Sequence, residues 1–422
     1  MHKIERLLHT LAPKGVEFKT LEEVFEIKNG YTPSKNNPEF WKNGTIPWFR
    51  MEDIRENGRI LKDSIQHITP KALKGKKLFP KNSIIISTTA TIGEHALLIV
   101  DSLANQQFTF LSKKANCDLA LDMKFFFYQC FLLGEWCKNN INVSGFASVD
   151  MTAFKKYKFP IPPLEIQQEI VKILDAFTEL NTELNTELKA RKKQYEYYQN
   201  MLLDFNDINQ NLKDAKMSTK PYPKRLKTLL QTLAPKGVGF RKLGEVCDFQ
   251  KGKSITKKAV TFGKVPVISG GRQPAYYHNE ANRSGETIAI SSSGVYAGYV
   301  SYWDIPVFLA DSFSVSPKQK TLMPKYLFHY LTTQQDAIHA TKSAGGIPHV
   351  YSKDLQNFLI PIPPLEIQQE IVKILDQFSL LTTDLLAGIP AEIKARKKQY
   401  EYYREKLLTF KPLTPNKEVK KC

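Results

Sequence analysis

Residues 160–175, PIPPLEIQQEIVKILD, return unchanged at residues 361–376, and this repeat narrows the possible folds more than any other feature of the chain. Identical residues bury identical faces, so the chain has two halves built on one framework. After each copy the apolar positions advance in alternating steps of four and three: Ile166, Ile170, Ile173, Phe177, Leu180 and Leu184, then Ile367, Ile371, Ile374, Phe378, Leu381 and Leu385. That spacing predicts the heptad seam of a coiled coil rather than the stripe of a globular helix. In the first copy a further step of four reaches Leu188, and the seam resumes through Tyr195, Tyr198 and Leu202, the pattern left by a four-residue insertion. Both copies end on KARKKQYEYY, at residues 189–198 and 394–403. A helix over residues 164–203 would run roughly 60 Å at about 1.5 Å per residue, and two such helices are expected to bury their seams on each other.

A second landmark repeats as well. MHKIERLLHTLAPKGV at residues 1–16 has a counterpart, KRLKTLLQTLAPKGV, ending at Val238. Proline followed by glycine predicts a short helix that stops at each LAPKGV. These copies lie 222 residues apart and the PIPPLE copies 201 apart, so the region between landmarks is 222 − 201 = 21 residues shorter in the second half. The intervening regions, 17–158 and 239–359, show little likeness, yet each reads as a mixed domain. Strand-like runs at 83–87, 96–100, 287–291, 299–303 and 312–316 are separated by Gly, Asn and Pro turns. Each region closes on an aromatic helical stretch, 123–137 or 326–340, and a glycine-containing loop, SGFASV or SAGGIPHV.

Residues 206–227 are polar and basic, with prolines at 221 and 223, and suit a linker. A linker this short is expected to start the second variable domain near the far end of the first helix, with the second helix running back antiparallel. The expected organisation is an N-terminal segment 1–16, a first variable domain 17–158, a long helix 159–205, a linker and repeated segment 206–238, a second variable domain 239–359, a second long helix 360–410 and a basic tail 411–422. In the second helix LLAGIPAEI places Gly388 and Pro390 inside the pattern and the repeat offset grows from 201 to 205, which predicts a kink or break.

Charge bounds the partner. A net charge of +18 and a pI near 9.4 point to a polyanion. Membrane is disfavoured: nothing reads as a signal peptide, and the most apolar run, residues 125–133, falls well short of the roughly 20 residues a span needs. Five cysteines without a CxxC pair favour neither a disulfide framework nor zinc, and suit a reducing cytoplasm. KGKS at 251–254 lacks the first glycine of a phosphate loop, which is Cys247 here, and the eight histidines show no HExxH or other ligand spacing. No catalytic constellation emerges, and no cofactor or metal is expected in this chain.

The basic block 189–193 reads equally as a phosphate contact or a solvated face. Better candidates for DNA contact lie in the variable domains: Tyr31, Lys35, Trp48, Arg50, Thr88 and Thr89 in the first, and Lys251, Lys253, Arg272, Gln273, Tyr276, Tyr277, Ser291, Ser292 and Ser293 in the second. Arg and Gln make bidentate bonds to base edges, while Lys, Ser and Thr hold phosphates.

Half of the chain is nearly duplicated and half is not, so the repeated parts meet one requirement twice and the unlike parts meet two. A reader of a two-part asymmetric DNA site fits, with the repeated surface binding two copies of one partner. A non-DNA coiled-coil scaffold and a self-contained methyltransferase or nuclease are the rival readings; the second lacks its motifs. With its paired PIPPLEIQQEI segments, GYTPSKNNPEFWKNGTIPWFRMEDI at 30–54, PVISGGRQPAYYHN at 266–279 and GETIAISSSG at 285–294, the chain resembles a specificity subunit of a type I restriction-modification system. The resemblance implies an α+β fold: two mixed α/β target-recognition domains separated by an antiparallel coiled coil of two long helices, with internal pseudo-twofold symmetry. It also implies double-stranded DNA, two adenine-methylating modification subunits that bring S-adenosylmethionine, and restriction/translocase subunits that use ATP and Mg. The four-residue repeat TELNTELNTEL at 178–188 is of a kind this family links to spacer length.

Overall fold

The computed structural model describes residues 2–142, 147–205, 222–318, 320–343, 346–383 and 388–413. It divides into two compact units, Met1–Glu183 with Lys394–Cys422, and Leu184–Ile393. The glycine loops at 143–146 and 344–345, most of the linker and the junction 384–387, which holds Leu385, lie outside the described residues.

The first unit opens with the helix His2–Leu11, which ends before Gly15 in a left-handed conformation (φ +107°). Val16 N–H then donates to Lys411 O and Leu413 N–H to Val16 O (both 2.9 Å), so the start of the expected tail is tied down. Strand Glu17–Thr20 pairs antiparallel with Lys158–Ile161 and brings the two ends of the variable domain together. A five-stranded sheet follows in the order Phe25–Asn29, Phe108–Lys113, Ser83–Ser87, His95–Leu98, Ile60–Leu61, antiparallel except for its last pair. Ser83–Ser87 is buried along its length, as its SIIIS run requires of a central strand. A three-stranded sheet, His67–Ile68, Ile46–Phe49, Leu103–Ala104, lies beside it, with Ile46–Phe49 parallel to Leu103–Ala104. The helix Met123–Asn139, capped by Asp122 Oδ1 at Lys124 N–H (2.7 Å), buries Phe125, Phe126, Cys130, Leu133 and Cys137.

The second unit repeats this plan in unlike residues. Helix Lys224–Leu233 leads to the pair Phe240–Lys242 and Leu359–Pro361. The main sheet runs Cys247–Lys251, Ser312–Pro317, Thr287–Ser291, Val300–Trp303, and the small sheet runs Tyr276–His278, Val265–Ile268, Phe308–Leu309, again with one parallel pair. Helix Met51–Asn57 and strand Ile60–Leu61 have no counterpart there among the described residues, which accounts for part of the 21-residue shortfall. The two variable regions therefore share one topology that their sequences conceal.

The framework carries the same contacts twice. Gln167 is fully buried; its Oε1 accepts Asp122 N–H (2.8 Å) and its Nε2 donates to Ala120 O (2.8 Å) and Pro162 O (2.7 Å). Gln368 does the same with Met323 N–H (2.9 Å), Thr321 O (2.8 Å) and Pro363 O (2.7 Å). Asp175 holds Lys124 Nζ and Tyr128 OH (both 2.6 Å); Asp376 holds Lys325 Nζ (2.6 Å) and His329 Nε2 (3.0 Å). Lys3–Glu169 and Arg225–Glu370 are the matching ion pairs at the N-terminal helices.

Part of the forty-residue helix Leu164–Leu203 belongs to each unit. In the first, Phe177 packs on Tyr403, with ring centroids 5.7 Å apart; in the second, the corresponding Phe378 packs on Tyr198 at 5.1 Å. The seam needs correction at its ends. Ile166 and Ile170 join Leu174 in a four-residue stripe buried in the domain core, and Ile367 and Ile371 join Leu375, while Ile173 and Ile374 are only half-buried. Leu381 is 44% exposed, and Thr382 is buried in its place. A stripe at i, i+4, i+8 follows the natural 3.6-residue period, so the first turns face their own domain. Leu180 and Leu184 are half-buried. The second long helix is described over Leu365–Thr383 and over Ile389–Leu408, which begins directly after Gly388; the segment 384–387, where the kink or break is expected, lies outside the described residues.

Candidate nucleic-acid interface

Both variable domains present the same loop cluster at the end of the central strand. In the first, Ser87 N–H donates to Glu94 O and Gly93 N–H to Ser87 O, which closes the loop 88–92; Thr88 N–H reaches Gln107 O, and Val149 N–H reaches Thr88 O. In the second, Ser291 N–H donates to Tyr299 O, Gly298 N–H to Ser291 O, Ser292 N–H to Asp311 O and Val350 N–H to Ser292 O. STTAT and SSSGV are thus one structural element. Its fourth residue is left-handed in both: Ala90 (φ +58°) and Gly294 (φ +85°). A positive φ on alanine stores strain. Gly30 and Gly252 also correspond, since a side chain at either would strike the backbone of the facing turn, 2.1 Å from Asn105 O and 2.6 Å from Ala310 O.

In the first domain Lys35, Trp48, Arg50 and Thr89 line one cleft of about 450 Å³, together with Asn105, Gln106 and Gln107. Lys35 is exposed at its rim. The Arg50 guanidinium lies 5.9 Å from the Trp48 ring; its Nε is buried without a hydrogen bond, and Glu52 Oε2, at 3.8 Å, is beyond hydrogen-bond reach. Trp48 itself is core: it is 2% exposed, its indole N–H donates to Tyr31 O (2.9 Å), and it packs edge-on against Trp41. A base contact by its side chain gives way to a structural role. Tyr31 does not line this cleft, and Lys76 Nζ lies 3.8 Å from its ring. Thr88 turns inward to Thr109 Oγ1 (3.0 Å), whereas Thr89 is half-buried at the cleft wall.

In the second domain Arg272 lies over Tyr296 (4.9 Å) and Tyr299 (5.6 Å), on the loop that follows the serines. Ser291 and Ser293 are scaffold, because their hydroxyls donate to Ser269 O (3.0 Å) and to the Asp311 carboxylate, while Ser292 is half-buried. Lys251, Lys253, Gln273, Tyr276 and Tyr277 are exposed, the two tyrosines on the edge strand Tyr276–His278. Burial, with Lys342 and Arg272 nearby, lowers His339 below the ordinary histidine range, so near neutral pH it adds no charge beside Arg272. The block 189–193 is mostly exposed.

Sequence reasoning missed the carboxamides Asn105 to Gln107 and the aromatics Tyr296 and Tyr299. The signal for the first was the run NQQ between two apolar stretches; the tyrosines gain meaning only from Arg272 and the loop fold. Among the described residues no group of three His, Cys, Asp or Glu side chains is arranged to hold a metal. In the first domain the arrangement is a concave, amide-bearing cleft with Lys35 and Arg50, suited to phosphates and base edges.

Comparison with known proteins gives the same direction. The family described as type I restriction modification DNA specificity domain matches residues 13–193 and 235–395. The chain is 40% identical over 385 residues to the type I restriction enzyme EcoprrI specificity subunit of Escherichia coli, covering 88% of this chain and 89% of that one. It is 33% identical over 281 residues to the EcoR124I/EcoR124II specificity subunit of the same organism, covering 62% and 65%. Among solved structures it resembles the S subunit of a type I restriction-modification system from M. genitalium, with TM-score 0.57, 19% identity and coverage of 93% and 96%. At that identity the likeness shows the fold, and it is the fold class expected from the sequence.

Proposed function

The chain belongs to the type I restriction-modification DNA specificity family, and from that premise we propose how its two halves divide the work. As a specificity subunit it recognises DNA sequence and leaves catalysis to the subunits it assembles with. Each variable domain reads one half of a bipartite, asymmetric target. The duplicated framework binds two copies of a modification subunit, which supply S-adenosylmethionine and adenine methylation, while restriction subunits supply ATP- and Mg-dependent cleavage. Among the described residues Cys117, Cys130, Cys137 and Cys247 are free, which suits work in a reducing cytoplasm. Among the described residues no helix is long and apolar enough to cross a membrane.

One observation carries this reading. Two domains with the same strand order stand on the same Gln, Asp and Lys contacts, yet the residues around the shared loop differ, with Lys35, Arg50 and Thr89 lining a cleft in one and Arg272 lying over Tyr296 in the other. A shared support with unlike reading surfaces suits one partner type and two base sequences. The test exchanges residues 17–158 for the same region of another family member in the assembled complex. One half of the methylated motif is expected to change while the other stays. If both halves change, or mass measurement shows a single modification subunit, the reading is wrong.

A further inference from the structure

In the first domain the turn between Leu103–Ala104 and Phe108–Lys113 is fixed everywhere but at its tip. Asn105 N–H donates to Phe49 O (3.0 Å), Phe108 N–H to Asn105 O (3.2 Å) and Gln107 N–H to Asn105 Oδ1 (3.1 Å). Gln107 O accepts Thr88 N–H (3.1 Å), and the Gln107 amide is held by Thr89 O (3.3 Å) and Thr91 Oγ1 (2.8 Å). Gln106 remains. Its side chain is exposed, carries no hydrogen bond among the described residues, and lines the cleft it shares with Lys35, Arg50 and Thr89. Arg50, whose buried Nε has no hydrogen bond and only the Glu52 carboxylate 3.8 Å away, lines the same cleft.

We propose that Gln106 is an adenine-reading residue of the first half-site. A carboxamide sets an acceptor and a donor side by side, so Oε1 accepts from adenine N6–H while Nε2 donates to N7 in the major groove. Lysine and hydroxyl groups cannot make that pair, and Lys35 beside it serves the phosphate backbone. Rigidity matters, because a turn already held by six hydrogen bonds orders only one side chain on binding. The corresponding turn of the second domain, Ala310 and Asp311, is one residue shorter and has no carboxamide, and the Asp311 carboxylate accepts the Ser293 hydroxyl. This is a chemical reason for two domains of one topology to read unlike half-sites.

The inference rests on the first domain being a half-site reader, and the experiment separates the two. Variants of the full chain are co-expressed with the modification subunit and methylated adenines are mapped across the host genome. Gln106→Ala is expected to relax one adenine position of the first half-site, with discrimination there falling about ten- to a hundredfold, and to leave the second half-site and spacer unchanged. Gln106→Glu, with an acceptor but no donor, is expected to shift that position toward cytosine. Lys35→Ala is expected to lower methylation at every site without altering the motif. An unchanged motif with Gln106→Ala, in a complex whose motif does change when residues 17–158 are exchanged, overturns the inference and leaves the domain's role standing. If the exchange changes nothing, the half-site reading fails, and the inference with it. Loss of all methylation by Gln106→Ala at an unchanged melting temperature also overturns it, since removing one base reader relaxes recognition rather than abolishing it.

Discussion

Replacing Gln167 with alanine strips the first unit of a contact that no other side chain supplies. Three backbone groups lose their partner at once: Pro162 O in a buried contact, and Asp122 N–H and Ala120 O in part-buried ones. Each group left without a hydrogen bond costs about 1–3 kcal/mol, and with water reaching the more accessible of them the sum is on the order of 4 kcal/mol. That is a large part of the roughly 5–15 kcal/mol a domain has. With a urea slope of about 2–3 kcal/mol per molar, the midpoint of the affected transition falls by roughly 1.5–2 M. Gln167→Glu is expected to be at least as harmful, since it keeps the acceptor, loses both donations and buries a charge. Gln368→Ala should cost the second unit about the same, because the geometry is the same to 0.1 Å. Amide hydrogen exchange identifies the site: protection is lost at Asp122 for one variant and at Met323 for the other. A cost below about 1 kcal/mol for Gln167→Ala, or protection lost elsewhere first, would refute the reasoning.

Three further outcomes are expected. Burial first, then the charges of Arg59 and Arg404, lower the pKa of His95 from 6.5 to about 3. The unfolded chain therefore binds the extra proton between those values, and stability that is complete above pH 6.5 falls by up to about 1.4 kcal/mol per pH unit on acidification; His95→Phe, which keeps the ring contacts with Phe127 and Phe131, should flatten that acid limb in pH-dependent urea unfolding. Ala90→Gly should relieve the left-handed strain and change stability by roughly 0 to +1 kcal/mol, with the gain partly offset by the freer unfolded chain; a clear loss of melting temperature would show that the loop is not strained. Deleting residues 181–184 shortens the helix Leu164–Leu203 by about 6 Å and turns it by about 40°, which is expected to shorten the unspecified spacer of the methylated motif by about one base pair; an unchanged spacer in an active complex would remove any ruler role from the repeat.

The repeated framework was legible because each of its contacts is made by a residue that recurs in the text of the chain: Gln167 and Gln368, Asp175 and Asp376, Phe177 and Phe378. Landmark helices and their stop at Pro-Lys-Gly follow from local stereochemistry that a short window contains. The common topology of the variable domains was not legible, since strand pairing is made by backbone groups and SIIIS and TIAIS satisfy the same buried position with different side chains. For the same reason the heptad pattern misled at its ends. Over three turns, steps of four and steps of four-and-three select neighbouring residues, and only the packed domain decides that Leu174 and Thr382 face inward rather than Ile173 and Leu381. The cleft divides the same way. Composition marked Trp48, Arg50 and Lys35 as contact residues, but tertiary structure put the indole in the core, left the two cations at a cleft, and raised Gln106 beside them on a turn held by Phe49 and by the stretch Thr88 to Thr91. Sequence determines which side chains are available; which of them reach solvent together depends on long-range backbone hydrogen bonds that no local pattern encodes.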